Sequence, residues 1–197
     1  MIKIIIITFI TVITVSQAFA AEDIGQSRLH PVHPFYFLKT VREYFELKFA
    51  GTPRIKIIRQ LEFSQRRLRE VNALMEKSRQ DLIEPTMERY WFHLDTVLSY
   101  RPREEALTLQ IIPVLETHLK VLEKIYYQVQ NARAKISLRS KINKILENSD
   151  TPLSPEVRMH GCNFLLKEAT SSGLNSTEQA VILERAKRCQ KILNPRS

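Results

Sequence analysis

Along most of this chain apolar residues recur every three or four positions, and residues that would interrupt such a pattern are scarce. Glycine occurs at only four of 197 positions: 25, 51, 161 and 173. Between the breakers, Leu, Glu, Lys, Arg, Gln and Ala prevail, and these residues lose little freedom on entering a helix. No stretch alternates apolar and polar residues between hairpin-type turns. The expected fold is therefore all-α: a bundle of long antiparallel helices over 35–147, then a helical hairpin over 155–193.

The few breakers set the helix limits. A first helix is expected over about 35–50, ended by Gly51-Thr52-Pro53, with Thr52 placed to cap the next helix and Pro53 suited to its first position. The second runs over about 53–81, with Ile57, Leu61, Leu68, Val71 and Met75 on one stripe that skips Ser64. Pro85 opens a third, about 85–100, presenting Met87, Trp91, Leu94 and Leu98, and Arg101-Pro102 ends it. A fourth starts near 103 and buries Ile111, Leu115, His118, Leu122, Ile125 and Val129. Pro113 inside that pattern should kink the helix or reset its start. A fifth, about 132–147, carries Ile136, Ile142 and Ile145, and Asn131 leaves open whether it continues the fourth. Residues 148–154 read as a linker. The hairpin turns near Gly173–Asn175, with Gly173 as a left-handed cap and Asn175 with Glu178 as a capping-box variant.

The N-terminus reads as a secretory leader over 1–20: Lys3, an apolar run from Ile4 to Val15, and Ala18-Phe19-Ala20 as a cleavage signal. This twelve-residue run falls short of the ~20 that span a bilayer; an uncleaved anchor is the alternative. Cleavage after Ala20 leaves 177 of the 197 residues, with no later run long enough to cross a membrane. The chain is expected to be secreted or periplasmic. Residues 21–34, with Gly25 and two His-Pro pairs, read as an extended arm. Export gives the two cysteines a meaning, because disulfides persist in oxidising compartments. Cys162 and Cys189 lie 12 and 15 residues from Leu174, so the hairpin brings them to similar height and a bridge is expected. Gly161 should let the two hairpin helices approach closely.

The first helix is unusual. Phe35, Tyr36, Phe37, Tyr44, Phe45 and Phe49 fall within seventeen residues and on several sides. A helix apolar all round is expected to be enclosed by neighbours, so these rings and Trp91 are assigned to the core. An exposed surface for a partner is the alternative.

Pro34-Phe35-Tyr36-Phe37-Leu38-Lys39 leads into that helix; Arg67-Leu68-Arg69-Glu70 follows with Leu74 four residues on, then Glu88-Arg89-Tyr90. In order and spacing, residues 30–147 resemble a bacterial extracytoplasmic helical family known as a domain of unknown function, number 5667. Phe63 and Ser64 stand where that family prefers small alanines. The resemblance implies export and a helical bundle. It brings no reaction, cofactor or catalytic residue.

A direct search for chemistry yields little. His30 and His33 could share a metal, but a site needs three or four ligands and no Cys or acidic cluster lies beside them. His118 falls on an apolar face and is expected to be a buried, hydrogen-bonded core residue, with His93 near the surface. His160 and Cys162, two residues apart, point to different faces of a helix. There is no nucleophile elbow and no Gly-rich phosphate loop. No enzyme activity, metal or cofactor is expected.

The formal net charge of +9 falls by one to +8 when Lys3 leaves with the leader. Most of it sits in 54–70 and 133–144, and Arg59, Arg66, Arg67, Arg69, Arg139 and Lys141 mark the candidate contact surface. Exposed aromatics do not interleave with these cations, so a nucleic-acid partner is not expected. Two functions remain: an exported helical binding or scaffolding module for a protein or peptide, or an electrostatic binder of an anionic polymer or membrane surface through its basic helix faces. The oligomeric state stays open.

Overall fold

A computed structural model describes residues 27, 29–101, 104–147, 151, 153–170 and 174–193. The expected leader, residues 21–26 and 28 of the arm, Pro102, most of the linker and Gly173 lie outside the described residues. The described residues form seven α-helices and no strand. These are α1 (Tyr36–Lys48), α2 (Pro53–Glu76), α3 (Ile83–Ser99), α4 (Glu105–Gln128), α5 (Ala132–Glu147), α6 (Pro155–Ala169) and α7 (Ser176–Leu193), with a 3-10 turn, Gln80–Leu82, before α3.

Several limits follow from local chemistry. Thr52 Oγ1 accepts from Ile55 N–H at 3.2 Å, and Pro53 takes the first turn of α2. Asn175 and Glu178 cap reciprocally, each side chain accepting from the other's backbone N–H, at 2.9 and 3.2 Å. α2 stops at Glu76, five residues before its expected end. Ser78 adopts φ 56°, Ser78 N–H donates to Met75 O at 3.0 Å, and Arg79 N–H donates to Leu74 O at 2.9 Å. This is a Schellman closure with serine where glycine is usual, so the sequence carries no visible stop signal.

α4 and α5 are separate helices. Val129 is extended at φ −71°, ψ 130°, and Asn131 Oδ1 accepts from Ala134 N–H at 3.0 Å to start α5. The break is held from a distance: Gln80 Oε1 accepts from Gln130 N–H and Asn131 N–H, both at 2.9 Å. Pro113 does not reset α4, which runs through it. The proline is exposed, as is Leu109, whose carbonyl it cannot satisfy.

α2 and α3 form the most extensive antiparallel pair of the bundle. α4 packs on α2, and α5 packs on both α3 and α4. Ile111, Leu115, His118, Leu122, Ile125 and Val129 are all buried as expected, and each such aliphatic contributes about 1.5–3 kcal/mol relative to exposure. On α3 the inward line is Met87, Tyr90, Leu94 and Val97. That phase takes Tyr90 into the core and leaves Trp91 on the flank, half-buried, with Lys144 and Lys141 ammonium groups 4.9 and 5.7 Å from its ring. Trp91 is thus not the core residue expected. Ile136 is exposed, and Leu138 takes its place inside.

Cys162 and Cys189 are bridged, with Cα atoms 5.6 Å apart, and both are fully buried. Gly161 serves a different approach from the one expected. A Cβ there would lie 2.4 Å from Leu146 Cδ2, so the glycine admits α5 rather than α7. The hairpin core is continuous with the bundle core through Ile145, Leu146, Cys162, Leu165 and Ala186. Arg158 reinforces this junction by donating to the carbonyls of Leu146 and Thr151.

Candidate functional site

α1 inverts the usual amphipathic arrangement. Its buried residues are Lys39 and Glu43, while Phe37, Leu38, Val41, Tyr44 and Phe45 face outward. Phe45 is the most covered of these at 45% exposed, and Phe49, just past the helix end, is 74% exposed. The expectation of an enclosed aromatic helix is overturned. The cause lies on α2, the main neighbour of α1, which presents charge rather than an apolar groove.

Arg67 and Glu70 are 3% and 0% exposed and project from α2 toward α1. Glu70 Oε1 pairs with Lys39 Nζ at 2.7 Å and with Arg67 Nη1 at 2.6 Å. The other Arg67 nitrogen pairs with Glu43, and Tyr36 hydroxyl donates to Glu70 Oε2 at 3.0 Å. Arg66 adds Glu46 at 2.8 Å, and the Arg89 guanidinium lies 5.5 Å from the Tyr36 ring centre. Lys39 also donates to Ser27 Oγ and Leu29 O, at 3.0 and 3.3 Å, tying the preceding segment down. That segment is not simply extended: turns closed by His33 N–H to His30 O and Tyr36 N–H to His33 O lead into α1.

Electrostatics follow the packing. Burial, then the Glu70 carboxylate, pushes the Tyr36 phenol up to about 12. Burial lowers the Lys39 ammonium although Glu70 opposes it. At Arg67 burial also works against the charge, but Glu70 and Glu43 outweigh it and raise the guanidinium. Charges this deep are tolerated only when paired. α1 is therefore latched to the bundle by ions and leaves its rings in solvent.

The six cations expected to form a contact surface separate. Arg67 and Lys141 are buried; Lys141 donates to Glu88 at 2.8 Å. Arg66 is mostly buried among Glu43, Glu46 and Glu62, and its guanidinium lies 5.0 Å from the Phe63 ring centre. Arg59 is 41% exposed and paired with Glu62 at 2.7 Å. Arg69 is half-buried and engaged by neighbours, and Arg139 is half-buried beside the Tyr126 hydroxyl. Four of the six, Arg59, Arg66, Arg67 and Lys141, are thus paired with acids of the fold.

The histidines are occupied in packing. His118 is fully buried with Nδ1 3.4 Å from Tyr90 hydroxyl, and burial, then Arg69, lowers it to about 3. His93 sits deeper than expected, between α2 and α3, with Nδ1 2.7 Å from Gln60 Oε1. Burial, then Arg67 and Arg89, lowers it to about 4. His160 pairs with Glu123 at 2.8 Å beside a shallow apolar cleft of about 220 Å³ lined also by Leu119 and Phe164. A wider cleft of about 530 Å³ opens where Tyr44 and Lys48 of α1 meet Lys56 and Tyr100. Among the described residues no three His, Cys, Asp or Glu side chains could hold a metal together, and no helix is long and apolar enough to cross a membrane.

Sequence reasoning missed Lys39 and Glu43. Their i, i+4 spacing puts them on one face opposite Val41 and Phe45, so the two-sidedness was readable; which side faces inward was not. Lys39, Arg67 and Glu70, three residues on which the family resemblance rested, converge on the latch between α1 and α2. No curated protein and no solved structure matches the chain. The family model of the domain of unknown function DUF5667 matches residues 28–149, which include α1 to α5. The chain belongs to the DUF5667 family.

Proposed function

We propose that this protein is an exported, non-enzymatic helical binding or scaffolding module whose contact surface is the outward face of α1. The observation that carries the reading is the inversion of that helix. Tyr44, Phe37 and Phe49 are 60%, 60% and 74% exposed, while Lys39 and Glu43 of the same helix are spent on the bundle. Contiguous exposed apolar patches of this size mark interaction sites on folded proteins.

Export is supported by the apolar N-terminal run with its Ala-x-Ala signal and by the disulfide, which suits an oxidising compartment. A non-catalytic role is supported by the packing of His118 and His93 toward core partners rather than into a cleft. The alternative, an anionic-polymer binder working through basic helix faces, draws less support because Arg67 and Lys141 are buried and Arg59 and Arg66 are ion-paired. Charge reversal at Arg66 and Arg67 would test stability, not binding.

Adsorption of the processed chain to a total envelope fraction tests the reading. Wild type is compared with Phe37→Ser/Phe45→Ser/Phe49→Ser. Loss of adsorption at an unchanged thermal transition is expected; adsorption that survives the substitutions overturns the assignment of the face. Turnover of an ester, glycoside or peptide, lost on changing one His or Glu, overturns the non-enzymatic reading.

A further inference from the structure

We infer that the occupant of the α1 face is the surface of an anionic phospholipid bilayer; this rests on the reading of that face as the contact surface. Three features of the molecule select a lipid surface over a protein or a second copy.

The first is the composition of the face. Around Phe37, Val41, Tyr44, Phe45 and Phe49 the exposed charges on α1 are Arg42 and Lys48, both cationic. Of the acids of the helix, Glu43 turns inward to Arg67, and Glu46 is shared between Arg66 at 2.8 Å and Arg42 at 2.9 Å, so Lys48 is the cation of the face with no acid against it on α1. Phenyl and phenol rings flanked by cations, with the one flanking acid, Glu46, held in ion pairs, have the composition of helices that lie in the headgroup layer. Here the polar side that carries Lys39 and Glu43 is docked on its own domain, so the rings face outward with Arg42 and Lys48 beside them.

The second is the cleft at the C-terminal end of α1. Tyr44, Lys48 and Lys56 line it, and Lys48 Nζ lies 5.7 Å from the Tyr44 ring centre. Two ammonium groups beside an apolar wall of Leu47, Pro53 and Ile57 suit a lipid phosphate with its acyl chain alongside. Ile55, 42% exposed in the first turn of α2, extends the apolar surface past the cleft.

The third is shape and net charge. The rings project from a convex helix, which a fluid interface can mould around, whereas a rigid partner needs a matching groove. A second processed copy would bring another net +8 and the same cations against this face, whereas an anionic bilayer supplies the opposite charge.

Vesicle flotation with the processed chain tests the inference, using phosphatidylcholine alone and phosphatidylcholine mixed with phosphatidylglycerol, each at low and high salt. Binding to the mixed vesicles is expected to exceed binding to neutral ones and to weaken as salt rises. Phe37→Ser/Phe45→Ser/Phe49→Ser should lower the partition coefficient at least ~tenfold. Arg42→Gln and Lys48→Gln should each lower it about fivefold at low salt. Phe49→Ser alone, at the most exposed ring, keeps the test available should the triple variant fold poorly. Failure to bind mixed vesicles, or binding indifferent to the rings, overturns the bilayer. Ring-dependent adsorption to envelope fractions without vesicle binding means a protein partner; ring-dependent dimerisation in sedimentation velocity without vesicle binding means a second copy. Either overturns the bilayer while leaving the α1 face as the contact surface. Ring-independent adsorption removes both.

Discussion

α1 and the α6–α7 hairpin sit at opposite ends of the chain and are held to the same bundle by opposite means. The hairpin is held covalently and by oil: Cys162–Cys189 joins its helices, and Cys162, Leu165 and Ala186 extend the bundle core. α1 is held by charge: Lys39 and Glu43 reach into Glu70 and Arg67, and no apolar side chain of the helix is buried. An apolar attachment is non-directional and hides the rings that make it. An ionic attachment is directional and leaves the rings free for something else. The difference explains how one small chain can be both well packed and openly aromatic.

The comparison breaks most readily at Glu70. Glu70→Ala leaves Lys39 and Arg67 buried without their shared acid, and a loss of about 3–5 kcal/mol is expected in urea unfolding. Amide exchange should quicken first in α1. A loss below ~1 kcal/mol would mean that the latch does not hold the helix. The matching cut on the other side is the double variant Cys162→Ala/Cys189→Ala. Removing the constraint of a loop with a sequence separation of 27 should cost ~3.5 kcal/mol by chain entropy, with α1 exchange unchanged. Coupled loosening of α1 would show that the two attachments are not independent.

Acid should weaken the bundle between them. In the fold His93 and His118 are held down to about 4 and about 3, against an ordinary value of 6.5. Below pH 6.5 the unfolded chain takes up protons that the folded chain refuses, so stability present above that pH falls progressively toward pH 4 for His93 and pH 3 for His118. The windows correspond to roughly 3 kcal/mol for His93 and roughly 5 kcal/mol for His118. His93→Asn should flatten the upper part of the profile; an unchanged slope would place His93 in a wetter setting. The smallest effect is expected at the outward rings: Phe49→Ser should alter the thermal midpoint by no more than an equivalent of ~0.5 kcal/mol. A larger loss would mean that the face is structural.

Much of this architecture was legible one helix at a time. The stripe of α4 from Ile111 to Val129, the Thr52–Pro53 start of α2 and the Asn175–Glu178 box depend on residues within a turn or two of one another. The cysteine pairing was legible too, because a hairpin with a near-central turn has a single register. The end of α2 was hidden because Ser78 takes a conformation that glycine usually signals. The α4–α5 break was hidden because its cap, Gln80, lies fifty residues upstream.

By itself, then, the sequence determined that the chain is helical, where most helices begin, and which two sulfurs meet, since each of these is settled by 3.6-residue periodicity, cap chemistry or short-range register. Tertiary structure alone decided which way α1 faces. Most of its rings lie opposite Lys39 and Glu43, and local propensity is indifferent to which side turns inward. The choice was made by Arg67 and Glu70, some thirty residues away, whose charges could be buried only against Lys39, Glu43 and Tyr36. Covering them with phenyl rings would have left an unmatched ionic pair in a dry interface, at a cost greater than the burial of those rings returns.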